Sequence, residues 1–119
     1  MEEKKTTYTF EEFVEIVQKL RAKCPWDSTQ THTSLKDCMR EEAQEVLEGI
    51  DLLEKTGDGD NLCEELGDVL LQIVLHSVIA QEEGLFCLDD VIDAVARKMI
   101  RRHPHIFGKS ELYKDYDGI

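Results

Sequence analysis

Two stretches of the chain put acids where a helix should carry apolar residues. On a helical wheel, Leu35, Met39, Ala43, Val46, Ile50 and Leu53 form one apolar stripe. At about 100° per residue, Glu42 falls about 60° from Met39, inside that stripe, and Glu45 falls about 120° away at its edge. Glu41, about 160° away, points to solvent. A second stretch repeats the anomaly. Around Val69, Leu62, Leu66 and Ile73 lie within about 60° on one side and Glu65 about 40° away on the other. Asp68 follows at about 100°, while Glu64, at about 140°, is expected to be wet. Each stretch therefore carries a core-side acid and a second acid three residues on, neighbours on a helix surface.

Such acids do chemistry only if the two helices meet. The turn between them, Thr56 to Asp60, reads TGDGD and is short enough to make the helices antiparallel neighbours. Glu42/Glu45 and Glu65/Asp68 then converge. Four ionised carboxylates cannot share a dry site unpaired. Oxygen-only ligands select hard cations, Mg²⁺ with Mn²⁺ as substitute. The acidic turn itself lacks the ligand spacing and closing Glu of an EF-hand.

Cations show the same misplacement further on. Around Val95, Arg102 lies about 20° and Lys98 about 60° away, on the side expected to face inward, with Arg101 about 120° away. Beside a metal–carboxylate group, a guanidinium fork and an ammonium suit a polyphosphate. The bland alternative is a helix C-terminus whose cations favour its dipole and pair with surplus acids.

These residues need four helices. The first runs from about Phe10 to Ala22. Thr9 and Glu12 form a capping box, Phe10, Phe13, Val14, Val17 and Leu20 form its stripe, and Cys24-Pro25 ends it. A loop from Pro25 to Thr33 follows. The second helix starts at a Ser34 N-cap and ends near Leu53 or Glu54. The third spans about Asn61 to Glu83, is apolar nearly all round from Val69 to Ile79, and is expected to be covered on several sides. The fourth begins near Asp89 and Asp90, turns Val91, Ile92, Val95 and Met99 inward, and stops at Pro104. The tail from His105 to Ile119 reads as irregular. In the loop, Trp26 either stacks on a nucleobase or pins the loop to the core. Asp27, Gln30 and His32 either read a base or cap a helix. His76 reads as a satisfied core histidine, and His103 and His105, flanking Pro104, are expected to order the tail.

Composition bounds the rest. The 119 residues suit one domain, with 41% hydrophobic and 34% charged residues and a formal net charge of −12. That charge argues against a nucleic-acid polymer as partner. The longest apolar run, Val69 to Ala80, contains Gln72, His76 and Ser77 and is too short to span a bilayer. Cys24, Cys38, Cys63 and Cys87 lack zinc-knuckle spacing. With a polar start, Met1 to Thr7, reduced thiols in a cytoplasmic protein are expected. A di-iron carboxylate site needs Glu three residues before His. Thr29, Ile73, Ile100 and Arg102 stand there instead.

Glu41-Glu42-x-x-Glu45, nineteen residues, then Glu65-x-x-Asp68 resembles the signature of the all-α nucleotide pyrophosphohydrolases, and most closely the MazG family. The flanking segments CPWD-x-x-QTH (Cys24 to His32), Ser34-Leu35, Glu64-Glu-Leu-Gly-Asp68 and KMIRRHPHIFG (Lys98 to Gly108) agree with it. The resemblance covers about Phe10 to Gly108. It implies an all-α, four-helix MazG-like bundle completed by homodimerisation, as a dimer or a dimer of dimers. It implies Mg²⁺-dependent hydrolysis of a ribo- or deoxyribonucleoside triphosphate to the monophosphate and pyrophosphate, clearing non-standard or excess nucleotides. Glu42, Glu45, Glu65 and Asp68 are the implied metal ligands. Lys98, Arg101 and Arg102, with Trp26, are the implied substrate contacts. Glu41 or Glu45 is the implied acceptor of the water's proton. MazG proteins commonly hold two such units, and this chain resembles the first. The alternative is therefore a metal-binding helical dimerisation module of a larger tandem protein, weak or inactive as a catalyst.

Overall fold

The computed structural model describes residues 7–108, and these are all-helical. The helices are α1 (Phe10–Lys23), α2 (Lys36–Thr56), α3 (Asp60–Glu82), α4 (Leu88–Arg102) and a single-turn α5 (Pro104–Phe107). A 3₁₀ turn at Asp27–Thr29 lies between α1 and α2.

The helix ends follow local chemistry. The Glu12 amide donates to Thr9 Oγ1 (3.1 Å) and the Thr9 amide to Glu12 Oε1 (2.9 Å), the capping box expected of that pair. Ser34 does not cap α2. Its hydroxyl accepts the Thr31 amide (2.8 Å) and donates to Gln30 Oε1 (2.7 Å), so its capacity is spent inside the loop and α2 starts two residues later. Past Pro104 the chain is not irregular. Proline opens α5, where its missing N–H is no loss. His103 Nδ1–H donates to the Met99 carbonyl (2.6 Å) and braces the α4–α5 junction. The tail from residue 109 on lies outside the described residues.

Val17, Leu35, Val74, Leu75 and Ile79 are buried together, with Phe13, Val14, Cys38, Leu71, Val78 and Leu88 packed around them. The core thus joins α1, the start of α2, the second half of α3 and the start of α4. Cover on several sides begins only at Val74; within the stretch expected to be covered, Leu70 and Ile73 are exposed, as is Leu66 before it. On α4 only Val91 of the predicted inward set is half-buried. Ile92, Val95 and Met99 are 46%, 49% and 38% exposed, because α4 joins the core through its start, at Leu88, and the stripe beyond Val91 is left largely open among the described residues.

Beyond the core, α2 and α3 form an antiparallel hairpin. Gly49 is buried at their crossing, where a Cβ would stand 3.0 Å from the Leu62 Cα. That close approach sets the register. One turn further along, Glu45 comes opposite Glu65, and another turn brings Glu42 to Asp68. No helix among the described residues is long and apolar enough to cross a membrane.

Candidate metal centre

The register gathers Glu42, Glu45, Glu65 and Asp68, each offering a carboxylate oxygen within 4.8 Å of the others. Three are half-buried, and Glu45 is exposed on the rim. Glu41 and Glu64 point to solvent, as the wheel placed them.

The group is under electrostatic load. Loss of water raises the Glu42 carboxyl above its ordinary value, and Asp68, Glu45 and Glu41 push the same way. Glu65 is pushed up to about 7, first by burial and then by Glu45 and Asp68. One oxygen each of Glu42 and Glu65, both Oε1, is buried with no hydrogen-bond partner. Buried carboxylate oxygens left without donors are costly. A hard divalent cation is the partner that would satisfy both and neutralise the cluster, so the donor set fits Mg²⁺ or Mn²⁺.

The predicted phosphate contacts do not join the acids within this chain. Every group that raises Glu42 and Glu65 is itself a carboxylate. Lys98 lines a shallow groove of about 420 Å³ with Phe86, Asp90, Val91, Ala94 and Val95. Lys98, Arg101 and Arg102 are all exposed, so the expectation that Lys98 and Arg102 face inward is corrected. The wheel located the stripe of α4, but the stripe has no cover here.

Trp26 does not pin its loop. It is 55% exposed, and only its carbonyl is engaged, by Thr29 Oγ1 (2.9 Å) and Gln30 Nε2 (3.0 Å). The pin is Arg21, which sequence reasoning missed. Its Nη1 donates to the carbonyls of Asp27 (2.7 Å) and Gln30 (2.8 Å), while Nε and Nη2 grip the Glu82 carboxylate at 2.9 and 3.0 Å. Nothing in the sequence marks it, since a cation in a last helical turn is ordinary. His32 turns to His76, their Nδ1 atoms 2.8 Å apart, so His76 is satisfied by a ring from the loop.

The described residues thus form an all-helical fold with four convergent carboxylates on an antiparallel helix pair. Residues 30–107 match the family described as the MazG nucleotide pyrophosphohydrolase domain, and the chain belongs to that family. It is 51% identical over 114 residues to the nucleoside triphosphate pyrophosphohydrolase/pyrophosphatase MazG of Thermotoga maritima, covering 92% of this chain and 43% of that protein. It is 48% identical over 118 residues to the Bacillus subtilis protein YabN, covering 98% of this chain and 23% of the relative. It is 43% identical over 98 residues to the nucleoside triphosphate pyrophosphohydrolase of Escherichia coli K12, covering 80% of this chain and 36% of that enzyme. The chain thus spans less than half the length of these curated relatives.

Proposed function

We propose that this chain hydrolyses nucleoside triphosphates to the monophosphate and pyrophosphate, with Mg²⁺ held by Glu42, Glu45, Glu65 and Asp68. The observation that carries the reading is the four-carboxylate group with its two orphaned buried oxygens. The family match and the names of the relatives support the reaction class. Bound there, the metal supplies charge neutralisation for the triphosphate and a water of lowered pKa.

The residues divide the remaining work. Glu42, Glu65 and Asp68 hold the inner wall. Glu45, on the exposed rim, faces the side from which substrate and water arrive and takes the water's proton, with Glu41 beside it as the second candidate. Lys98 and Arg102 hold the phosphates, Arg101 supports them, and Trp26 is free to stack on a base. Because the described chain leaves α4 uncovered and its cations away from the acids, the working unit is a homodimer or a dimer of dimers. The uncovered faces are Leu47 and Ile50 on α2, Leu66, Leu70 and Ile73 on α3, and Ile92, Val95 and Met99 on α4. A second copy on these surfaces buries them and brings cations toward the carboxylates.

The test is pyrophosphate release over a panel of ribo- and deoxynucleoside triphosphates, with and without EDTA. Release that stops in EDTA and returns with Mg²⁺ or Mn²⁺ is expected; release in full chelator refutes the metal centre. Mg²⁺ binding without release on any substrate would instead identify a dimerisation module. Light scattering at micromolar concentration showing only monomer would refute the assembly.

A further inference from the structure

The reaction proposed above uses neither His32 nor His76, yet the two rings are held edge to edge, nitrogen toward nitrogen. Their planes lie within 5° and their centroids 5.0 Å apart, with Nδ1 to Nδ1 at 2.8 Å. His32 comes from the loop before α2, and His76 from the middle of α3. On its other side, His32 Nε2 lies 3.4 Å from Glu83 Oε1.

Two nitrogens at that distance share one proton, so one donates and the other accepts. Glu83 fixes which. His32 keeps a hydrogen on Nε2, toward the carboxylate, and presents a bare Nδ1. His76 therefore donates from Nδ1. One extra proton is absorbed without loss. It enters at His76 Nε2, and the shared proton shifts to His32 Nδ1. His32 is then an imidazolium between Glu83 and a neutral, accepting His76. A second proton leaves N–H groups on both facing nitrogens and like charges on both rings, so the bond breaks.

Glu83 faces His32 and is not among the groups that act on His76. Glu82, beside Glu83, is engaged by Arg21 of α1. The loop contributes Asp27, whose carbonyl Arg21 also holds. The first turn of α2 carries Lys36 and Asp37, and the start of α4 carries Asp89 and Asp90, all exposed. His32 is the charged neighbour that acts on His76.

We infer that His32 and His76 form an acid-operated clasp, closed with no or one extra proton and opened by the second, which releases the 31–34 end of the loop from α3. Arg21 retains the 27–30 end throughout. Burial first, and then His32, hold His76 below the ordinary histidine value. The penalty is therefore absent above that ordinary value and grows as pH falls toward the lowered one.

Imidazole ¹⁵N spectra of the whole chain at neutral pH should show the Nε2–H tautomer at His32 and the Nδ1–H tautomer at His76. Amide protection corrected for intrinsic exchange should then fall at least ten-fold at Thr31 and Ser34 on acidification, while α1 and α3 stay protected. His76→Gln offers His32 a neutral partner that takes no proton, and its loop should stay closed over the same range. The clasp is refuted by reversed tautomers, by loop protection that does not change, by loss in step with α1 and α3, or by His76→Gln opening at the wild-type pH.

Discussion

Gly49 and Gly67 both lie inside helices, where alanine is intrinsically favoured by about 1 kcal/mol. The same substitution should nonetheless act with opposite sign at the two positions. A Cβ on Gly49 would stand 2.9 Å from Asn61 Oδ1, 3.0 Å from Leu62 Cα and 3.3 Å from Leu62 N. The Asn61 side chain can turn away, but the Leu62 backbone moves only if α3 moves. Overpacking of this kind costs roughly 1–3 kcal/mol. Set against the propensity gain of about 1 kcal/mol, Gly49→Ala should destabilise by about 1 kcal/mol. At Gly67 nothing lies within 4 Å of the built Cβ, so Gly67→Ala should stabilise by up to about 1 kcal/mol. The two variants should thus melt on either side of wild type, at about 4 °C per kcal/mol for a domain of this size. Urea and thermal unfolding in EDTA read both. A Gly49→Ala protein at least as stable as wild type would show that the helices do not meet closely there, and the register that opposes Glu45 to Glu65 would fall with it. Activity gives a second check, since prising the hairpin apart one turn from the carboxylates should lower turnover in Gly49→Ala.

Three further outcomes are expected. Glu42→Gln and Glu65→Gln should abolish pyrophosphate release while Glu64→Gln leaves it nearly unchanged, and the metal-free Glu42→Gln protein should melt above wild type because a repelling charge is gone; Mg²⁺ should raise the wild-type melting temperature and that of the mutant much less. Because Glu65 sits at about 7 rather than its ordinary 4.5, its ionisation opposes folding, so the stability advantage of metal-free Glu65→Gln over wild type should grow as pH rises from 4.5 to about 7 and then level off; an advantage that shrinks over that range would reverse the assigned cause. Arg21→Ala should cost roughly 3 kcal/mol in urea unfolding, since it strands two loop carbonyls and a half-exposed carboxylate, and a loss under about 1 kcal/mol would mean the loop is held elsewhere.

The helices and the acids were legible because periodicity reports which side of a helix is wet. Glu42 and Glu65 broke the apolar stripes, and both proved half-buried with orphaned oxygens. The same wheel misjudged α4, since a stripe shows that a face wants cover without saying what covers it. Ile92, Val95, Lys98 and Arg102 are exposed for that reason. The N-cap of α2 falls one residue past Ser34, at Leu35, because the Ser34 hydroxyl already accepts the Thr31 amide. Arg21 and the His32–His76 contact join residues far apart in the chain, and no local pattern encodes a pairing across 44 or 61 positions.

The division of α3 into a buried second half and an open first half separates two lifetimes within one helix. Val74, Leu75, Ser77, Ile79 and Ala80 are buried in the core and should open only with the whole molecule. Glu65 and Asp68 stand on the other half, backed by α2 alone, where few apolar contacts resist a brief parting of the hairpin. Heat should therefore silence the carboxylate centre before it melts the fold, and on cooling the centre should re-form against a core that never came apart. Any cation bound across the hairpin would act as a rivet at its weakest point, so that metal supply, more than core packing, sets how long the centre survives at high temperature.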